Sequence, residues 1–309
     1  MTAVAGGQAV GISVSREARG RVAGDGVSLA YGYWPGSGRT VVGIHGLTAS
    51  FMNFAGIADR LGGRRPLLAF DLRGRGESDK PEGHYGVEQH AADVAVAMAR
   101  FGAGPSVVIG HSMGAYVAAA LAARHPELVA GVILLDGGYL LDPPPGVEVE
   151  ALLDTLLAPQ VARLRQSYAS RPAYFEFWRA LPTFGPDEWT PWVEAYLDYD
   201  LGGEEPDLRP RALEAAVRAD FVDLADRPAA EARLRALRCP AMAVRAEHGV
   251  AAGQPPLIPD AVLSGMAACV PDLEHHFLPG TTHYTIALAD PGASTVAGLV
   301  VDFAQRCGA

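Results

Sequence analysis

The residues Gly110-His111-Ser112-Met113-Gly114 set a serine midway between two glycines. An apolar run, 106–109, precedes them, and an Ala-rich run, 115–124, follows. A serine on a strand-to-helix turn is held in a strained backbone conformation with its hydroxyl exposed. The turn is tight enough that a Cβ at 110 or 114 would clash. The Met113 amide then faces the same space as the hydroxyl, and the dipole of the following helix favours negative charge there. A serine hydroxyl becomes a good nucleophile only when a base removes its proton, and histidine suits that task near neutral pH. The chain holds nine histidines.

Positioning these groups takes regular elements. Strands are expected at 27–33, 40–44, 67–70, 106–109, 132–135, 241–245 and 274–278. Helices are expected at 87–100, 115–124 and 293–306. Short apolar runs alternating with helical ones predict an α/β protein with a mainly parallel central sheet covered on both faces. Residues 143–230 break the rhythm. They are proline-punctuated, helical in pattern and rich in aromatic residues. They read as a helical cap inserted between a first core segment, 14–142, and a second, 231–309. Most of its rings are expected to pack, and Trp178, Trp189 and Trp192 to cap a largely apolar pocket. The first ~13 residues are expected to fray.

Across nearly its whole length the chain resembles the α/β-hydrolase superfamily. Besides the serine turn, His45-Gly46-Leu47 closes the third strand as that family's oxyanion loop does. Asp71-Leu72-Arg73-Gly74-Arg75-Gly76-Glu77-Ser78 is similar to its D-x-R-G-x-G-x-S loop, read here as an internally bonded structural loop. The resemblance implies Ser112 as nucleophile and His283 as general base. His283 lies in Pro279-Gly280-Thr281-Thr282-His283-Tyr284, between the last strand and last helix, and the order Ser then His agrees. It also implies an oxyanion hole made by the amides of Leu47 and Met113, with His45 bracing the loop.

The third member of the triad departs from the usual pattern. The family commonly carries an aspartate in a G-x-x-D loop after the strand at 241–245. Here that stretch reads Ala246-Glu247-His248-Gly249, with glycine at the acid position. Two carboxylates can fill the role. Asp136 ends the strand 132–135, a position used in zearalenone-lactonase-like members, and Gly137-Gly138 is expected to leave room for the His283 ring. Glu247 lies two residues before the usual position and has a longer reach. The preferred set is Ser112, His283 and Asp136.

These residues predict cleavage of a carboxylic ester or lactone of a hydrophobic small molecule through an acyl-enzyme, with no cofactor and no metal. The alternatives are hydrolysis of a carbon–carbon bond in a diketone or vinylogous acid, and a catalytically silent ligand-binding protein of the same fold. Dehalogenase and epoxide hydrolase chemistry would need an aspartate where Ser112 stands. The composition, 49% hydrophobic and 19% charged, fits a large packed core. A net charge of −10 argues against nucleic acid and anionic membranes as partners. Cys239, Cys269 and Cys307 show no disulfide or zinc spacing and read as free thiols. The chain lacks a signal-peptide pattern and a long apolar run, so a soluble cytoplasmic protein is expected.

Overall fold

A computed structural model describes residues 17–140, 148, 149, 151 and 158–309. The tail expected to fray, and part of the expected cap between 141 and 157, lie outside the described residues. An eight-stranded sheet runs in the order β1 (Ala18–Ala23), β2 (Ser28–Trp34), β4 (Leu67–Phe70), β3 (Val41–Ile44), β5 (Ser106–His111), β6 (Val129–Leu135), β9 (Ala241–Ala246) and β10 (Glu274–Leu278). The pairs β1–β2 and β2–β4 are antiparallel and the remainder are parallel.

The central strands β3, β4 and β5 are buried along their whole length. That is what continuous apolar runs in a sheet covered on both faces require. The two-residue period sorts β5 between the faces. Val107 and Ile109 join one apolar cluster, with Val296, Val300 and Phe303 of helix α11 (Gly292–Arg306). Val108 joins the other, with Val94 of α2 (Val87–Phe101) and Val117 of α3 (Met113–Arg124). Helix α1 (Ala55–Leu61) packs beside α11. The expected elements recur within a few residues of their sequence positions. Strand β1 was not anticipated, because Arg19 and Arg21 dilute its apolar pattern.

Between β6 and β9 the described chain is mainly helical: α4 (Ala158–Ala162), α5 (Arg171–Arg179), α6 (Pro191–Asp200), α7 (Glu214–Leu224) and α8 (Arg227–Arg235). A ribbon of two-residue strands, β7 (Leu201–Gly202) and β8 (Arg209–Pro210), interrupts them. Three of these helices carry side-chain caps. Ser170 Oγ accepts from Ala173 N, Thr190 Oγ1 from Val193 N and Asp226 Oδ1 from Ala229 N, each with proline in the first turn. The boundary expected at residue 230 falls inside α8, which packs on α3 of the core. Helix α9 (Asp260–Cys269) then leads to β10, and the short α10 (Thr285–Leu288) precedes α11. Among the described residues no helix is long and apolar enough to cross a membrane.

Candidate active site

Strand β5 delivers Ser112 to the carboxyl edge of the sheet, where open parallel sheets place their ligands. Ser112 adopts φ 57° and ψ −121°, a conformation that costs a non-glycine residue energy and that its surroundings must impose. They do so by close approach. A Cβ on Gly110 would lie 2.1 Å from the Gly114 carbonyl oxygen, and one on Gly114 would lie 1.9 Å from that of Ile44. Ser112 is the N-cap of α3, and Met113 is its first residue.

The register of the sheet sets the neighbour. His111 pairs with Leu135, so Asp136, the next residue on β6, stands beside Ser112. Asp136 is 1% exposed and has φ 46°. Its Oδ1 accepts from Ala246 N at 3.1 Å, and its Oδ2 lies 2.7 Å from His283 Nδ1. Ser112, His283 and Asp136 all line one cavity of about 630 Å³. Gly137 performs a different task from the one expected. A Cβ there would lie 2.2 Å from the Ser112 carbonyl oxygen, so its bare backbone makes room for the serine turn rather than for the His283 ring.

The two threonines before His283 shape its loop. Thr281 Oγ1 donates to Leu278 O at 2.8 Å, and Thr282 N donates to Thr285 Oγ1 at 2.8 Å. His283 N donates to Gly249 O at 2.8 Å, tying the loop after β10 to the loop after β9. Glu247 serves the same seam. Its Oε2 accepts from Gly280 N at 2.7 Å, while 42% of its side chain remains exposed. The structure thus brings Asp136, and not Glu247, onto the His283 ring.

Leu47 and Met113 also line the cavity. A Cβ on Gly46 would sit 2.9 Å from Ser112 Cβ, so the loop carrying Leu47 touches the serine. His45 is wholly buried behind that loop. Leu72 N donates to its Nε2 at 3.0 Å, which leaves the proton on Nδ1, 2.7 Å from Gly46 O. Burial drives the His45 pKa down to about 3, against a smaller opposing effect from the Gly46 carbonyl, so the ring is a neutral brace. His111 behaves alike: Nε2 lies 2.9 Å from His283 O, and burial first, then the neighbouring His283, hold its pKa well below the usual histidine range.

The 71–78 loop is bonded internally, with Ser78 Oγ donating to Asp71 O at 2.6 Å, but its arginines also reach outward. Arg73 pairs with Asp93 of α2 at 2.6 Å. Arg75 pairs with Asp220 of α7 at 2.5 Å and donates to Leu47 O at 3.0 Å. It therefore joins the Leu47 loop to the inserted helices.

None of the three expected tryptophans lines the cavity. Trp178 packs with Tyr174, Phe184 and Tyr284, Trp192 lies under Arg60, and Trp189 lies against Phe184 and Arg179. Trp178 and Trp192 thus fill the seam between the insertion and the core domain, and Trp189 packs within the insertion. Of the insertion's expected aromatic residues, Tyr196 reaches the cavity. Sequence reasoning missed much of the wall: Asn53, Tyr116, Tyr139, Phe221, Val250 and the proline-rich stretch Gln254 to Pro259. Only the prolines after β9 offered a signal. Among the described residues no group of three or more His, Cys, Asp or Glu side chains is placed to hold a metal ion.

Comparison with known proteins agrees with this architecture. Residues 39–179 match the family described by the alpha/beta hydrolase fold. The chain is 31% identical over 258 residues to 2-(acetamidomethylene)succinate hydrolase of Mesorhizobium japonicum, spanning 81% of this chain and 83% of that protein. It is 35% identical over 126 residues to lipase LipV of Mycobacterium tuberculosis, spanning 41% of this chain and 46% of that one. The crystal structure of E-2-(acetamidomethylene)succinate hydrolase superposes with a TM-score of 0.76 at 27% identity, covering 93% of this chain and 99% of that chain. The chain belongs to the α/β-hydrolase family.

Proposed function

We infer that this protein is a serine hydrolase that cleaves a carboxylic ester or lactone of a largely apolar small molecule. The observation that carries the reading is the 2.7 Å contact between His283 Nδ1 and Asp136 Oδ2 in the cavity that Ser112 lines. With its Nδ1 proton donated to the carboxylate, His283 presents the Nε2 lone pair as a base. Ser112 Oγ attacks the acyl carbon and gives its proton to Nε2. Negative charge collects on the former carbonyl oxygen, facing the amides of Leu47 and Met113. Preorganised donors of this kind contribute roughly 3 kcal/mol each in other acyl-transfer enzymes. His283 returns the proton to the leaving alcohol, and water then repeats the sequence on the acyl-enzyme. Asp136 holds the imidazole in the required tautomer and stabilises its charged form.

A second reading keeps these roles but cleaves a carbon–carbon bond of a diketone or vinylogous acid. The relative matched over 81% of this chain supports a scissile bond other than an ester, because that protein is named for an unsaturated acetamido acid. The catalytically silent reading rested on the missing acid after β9, and Asp136 removes that support.

The discriminating experiment is turnover of a panel of aryl esters, macrolactones and diketones with the products identified by mass spectrometry. Acid and alcohol from esters or lactones are expected. Fragments from diketones alone would move the assignment to the second reading, and no turnover without labelling of Ser112 by a fluorophosphonate would favour the silent one.

A further inference from the structure

His283 is held at its ring, its amide and its carbonyl. Asp136 Oδ2 lies 2.7 Å from the ring at Nδ1, and Gly249 O accepts from the amide at 2.8 Å. The carbonyl faces His111, whose Nε2 lies 2.9 Å from His283 O. His111 is the last residue of β5 and immediately precedes Ser112. The sheet sets its backbone: His111 pairs with Leu135, and Ser112 N donates to Leu135 O at 2.9 Å. The strand that delivers the nucleophile therefore also grips the residue that carries the base. The two imidazole rings lie against each other, with centroids 4.5 Å apart and planes 33° apart.

A carbonyl oxygen only accepts, so the His111 proton sits on Nε2 and Nδ1 carries a bare lone pair. That Nδ1 is buried with no hydrogen-bond partner among the described residues. Buried acceptors without partners are costly, and native structures keep few of them. An apolar side chain of similar volume would avoid that cost, yet could not donate to His283. Burial first, then the neighbouring His283, hold the His111 pKa well below the usual histidine range. The ring thus stays neutral when its neighbour takes a proton, and sets no like charge beside the imidazolium.

We propose that His111 is a positioning residue: by donating from Nε2 to the His283 carbonyl, it sets how far the base stands from Ser112. This rests on the hydrolase reading, in which Ser112 gives its proton to His283. Asp136 orients the ring, and Gly249 ties the loop after β10 to the loop after β9. Of the three partners, His111 alone is joined to Ser112 by a peptide bond, so it links base and nucleophile through the shortest path. A misplacement of about 1 Å between reacting groups can cost on the order of 100-fold in rate.

The test is the rate of fluorophosphonate labelling at Ser112 in the wild type, His111→Leu and His111→Gln, at matched folded fraction. Leucine approaches histidine in volume but donates nothing. Glutamine carries its Nε2 the same number of bonds from Cα as the imidazole Nε2, and keeps the donor. His111→Leu should label about 10- to 100-fold more slowly than wild type, and His111→Gln should stay within about fivefold of it. A side chain that only filled space would give the opposite order, because leucine would then be the better tolerated. If His111→Leu does not fold, His111→Met takes its place. A second readout is the downfield proton resonance of His283 Nδ1–H against Asp136, assigned by its loss in His283→Gln. It should hold its position in His111→Gln and shift or broaden in His111→Leu. The proposal is overturned if the leucine variant labels within about threefold of wild type, if the glutamine variant is as slow as the leucine one, or if the resonance is the same in all three proteins. Failure of the wild type to label would strike the hydrolase reading instead, and the resonance would still report how His283 is held.

Discussion

Asp136 and His283 are separated by 147 residues in sequence and by 2.7 Å in space. The carboxylate is held from two sides, by the Ala246 amide at the end of β9 and by the imidazole from the loop after β10. It sits directly after a strand whose register with β5 is fixed, so its position relative to Ser112 does not depend on a long loop. Glu247 is placed otherwise, as a half-exposed clasp on the Gly280 amide.

Removing the nucleophile should leave the fold in place and abolish turnover. Ser112→Ala is expected to lose at least about 10⁴-fold in kcat, because nucleophile, base and acid act as one unit. Its unfolding midpoint should hold or rise, since alanine at 112 deletes only the hydroxyl from a strained turn. A variant that kept more than about a tenth of the activity would move the nucleophile elsewhere, since triad losses are far larger.

Arg75 offers a test of how the Leu47 loop is held. It is fully buried, paired with Asp220, and bonded to the Leu47 carbonyl. Arg75→Met leaves Asp220 buried with His90 and the Gly86 amide but no guanidinium, and should cost about 3–5 kcal/mol in urea unfolding. At a temperature where the variant remains folded, its kcat should fall more than its KM changes, because the loop serves the transition state. A loss below about 1 kcal/mol would place this pair among those that contribute little.

The neutral, buried His45 predicts an acid-sensitive fold. Its pKa lies near 3 in the folded chain and near 6.5 when exposed. Between those values the unfolded state binds a proton that the folded state refuses, so stability falls as pH falls through this window. Well above the exposed pKa, beyond about pH 7.5, the ring is neutral in both states and contributes almost no slope. From pH 6.5 to 5 this one residue should remove about 2 kcal/mol. His45→Gln should be less stable at pH 7 but lose less on acidification, as measured by urea unfolding at both pH values. Parallel slopes in the two proteins would contradict the assignment.

Much of the framework was legible because apolar runs at β3, β4 and β5 could only be strands buried on both faces, and because Gly110 and Gly114 flank a serine in strand-to-helix context. Asp136 could be named from its place at a strand end, but Glu247 stayed open, since sequence does not show which carboxylate reaches a distant ring. Strand β1 was hidden by its arginines. Most of the cavity wall was hidden too, for a general reason: Asn53, Tyr116 and Phe221 lie on separate elements and meet only through tertiary packing. The tryptophans misled because a large ring in an insertion buries itself as readily within the insertion or against the core domain as over a pocket.

The central claim is that Ser112 is activated by His283 under the control of Asp136. The rate of fluorophosphonate labelling at Ser112 tests it without knowledge of the substrate. It should be measured in the wild type, Asp136→Asn and Glu247→Gln at matched folded fraction. Losing the orienting carboxylate of a triad costs on the order of 10⁴-fold, so Asp136→Asn should label about 10³- to 10⁴-fold more slowly. Glu247→Gln, which alters only a half-exposed clasp, should stay within about fivefold of wild type, as expected of a surface carboxylate. The reverse ranking, or labelling at a residue other than Ser112, would contradict the account.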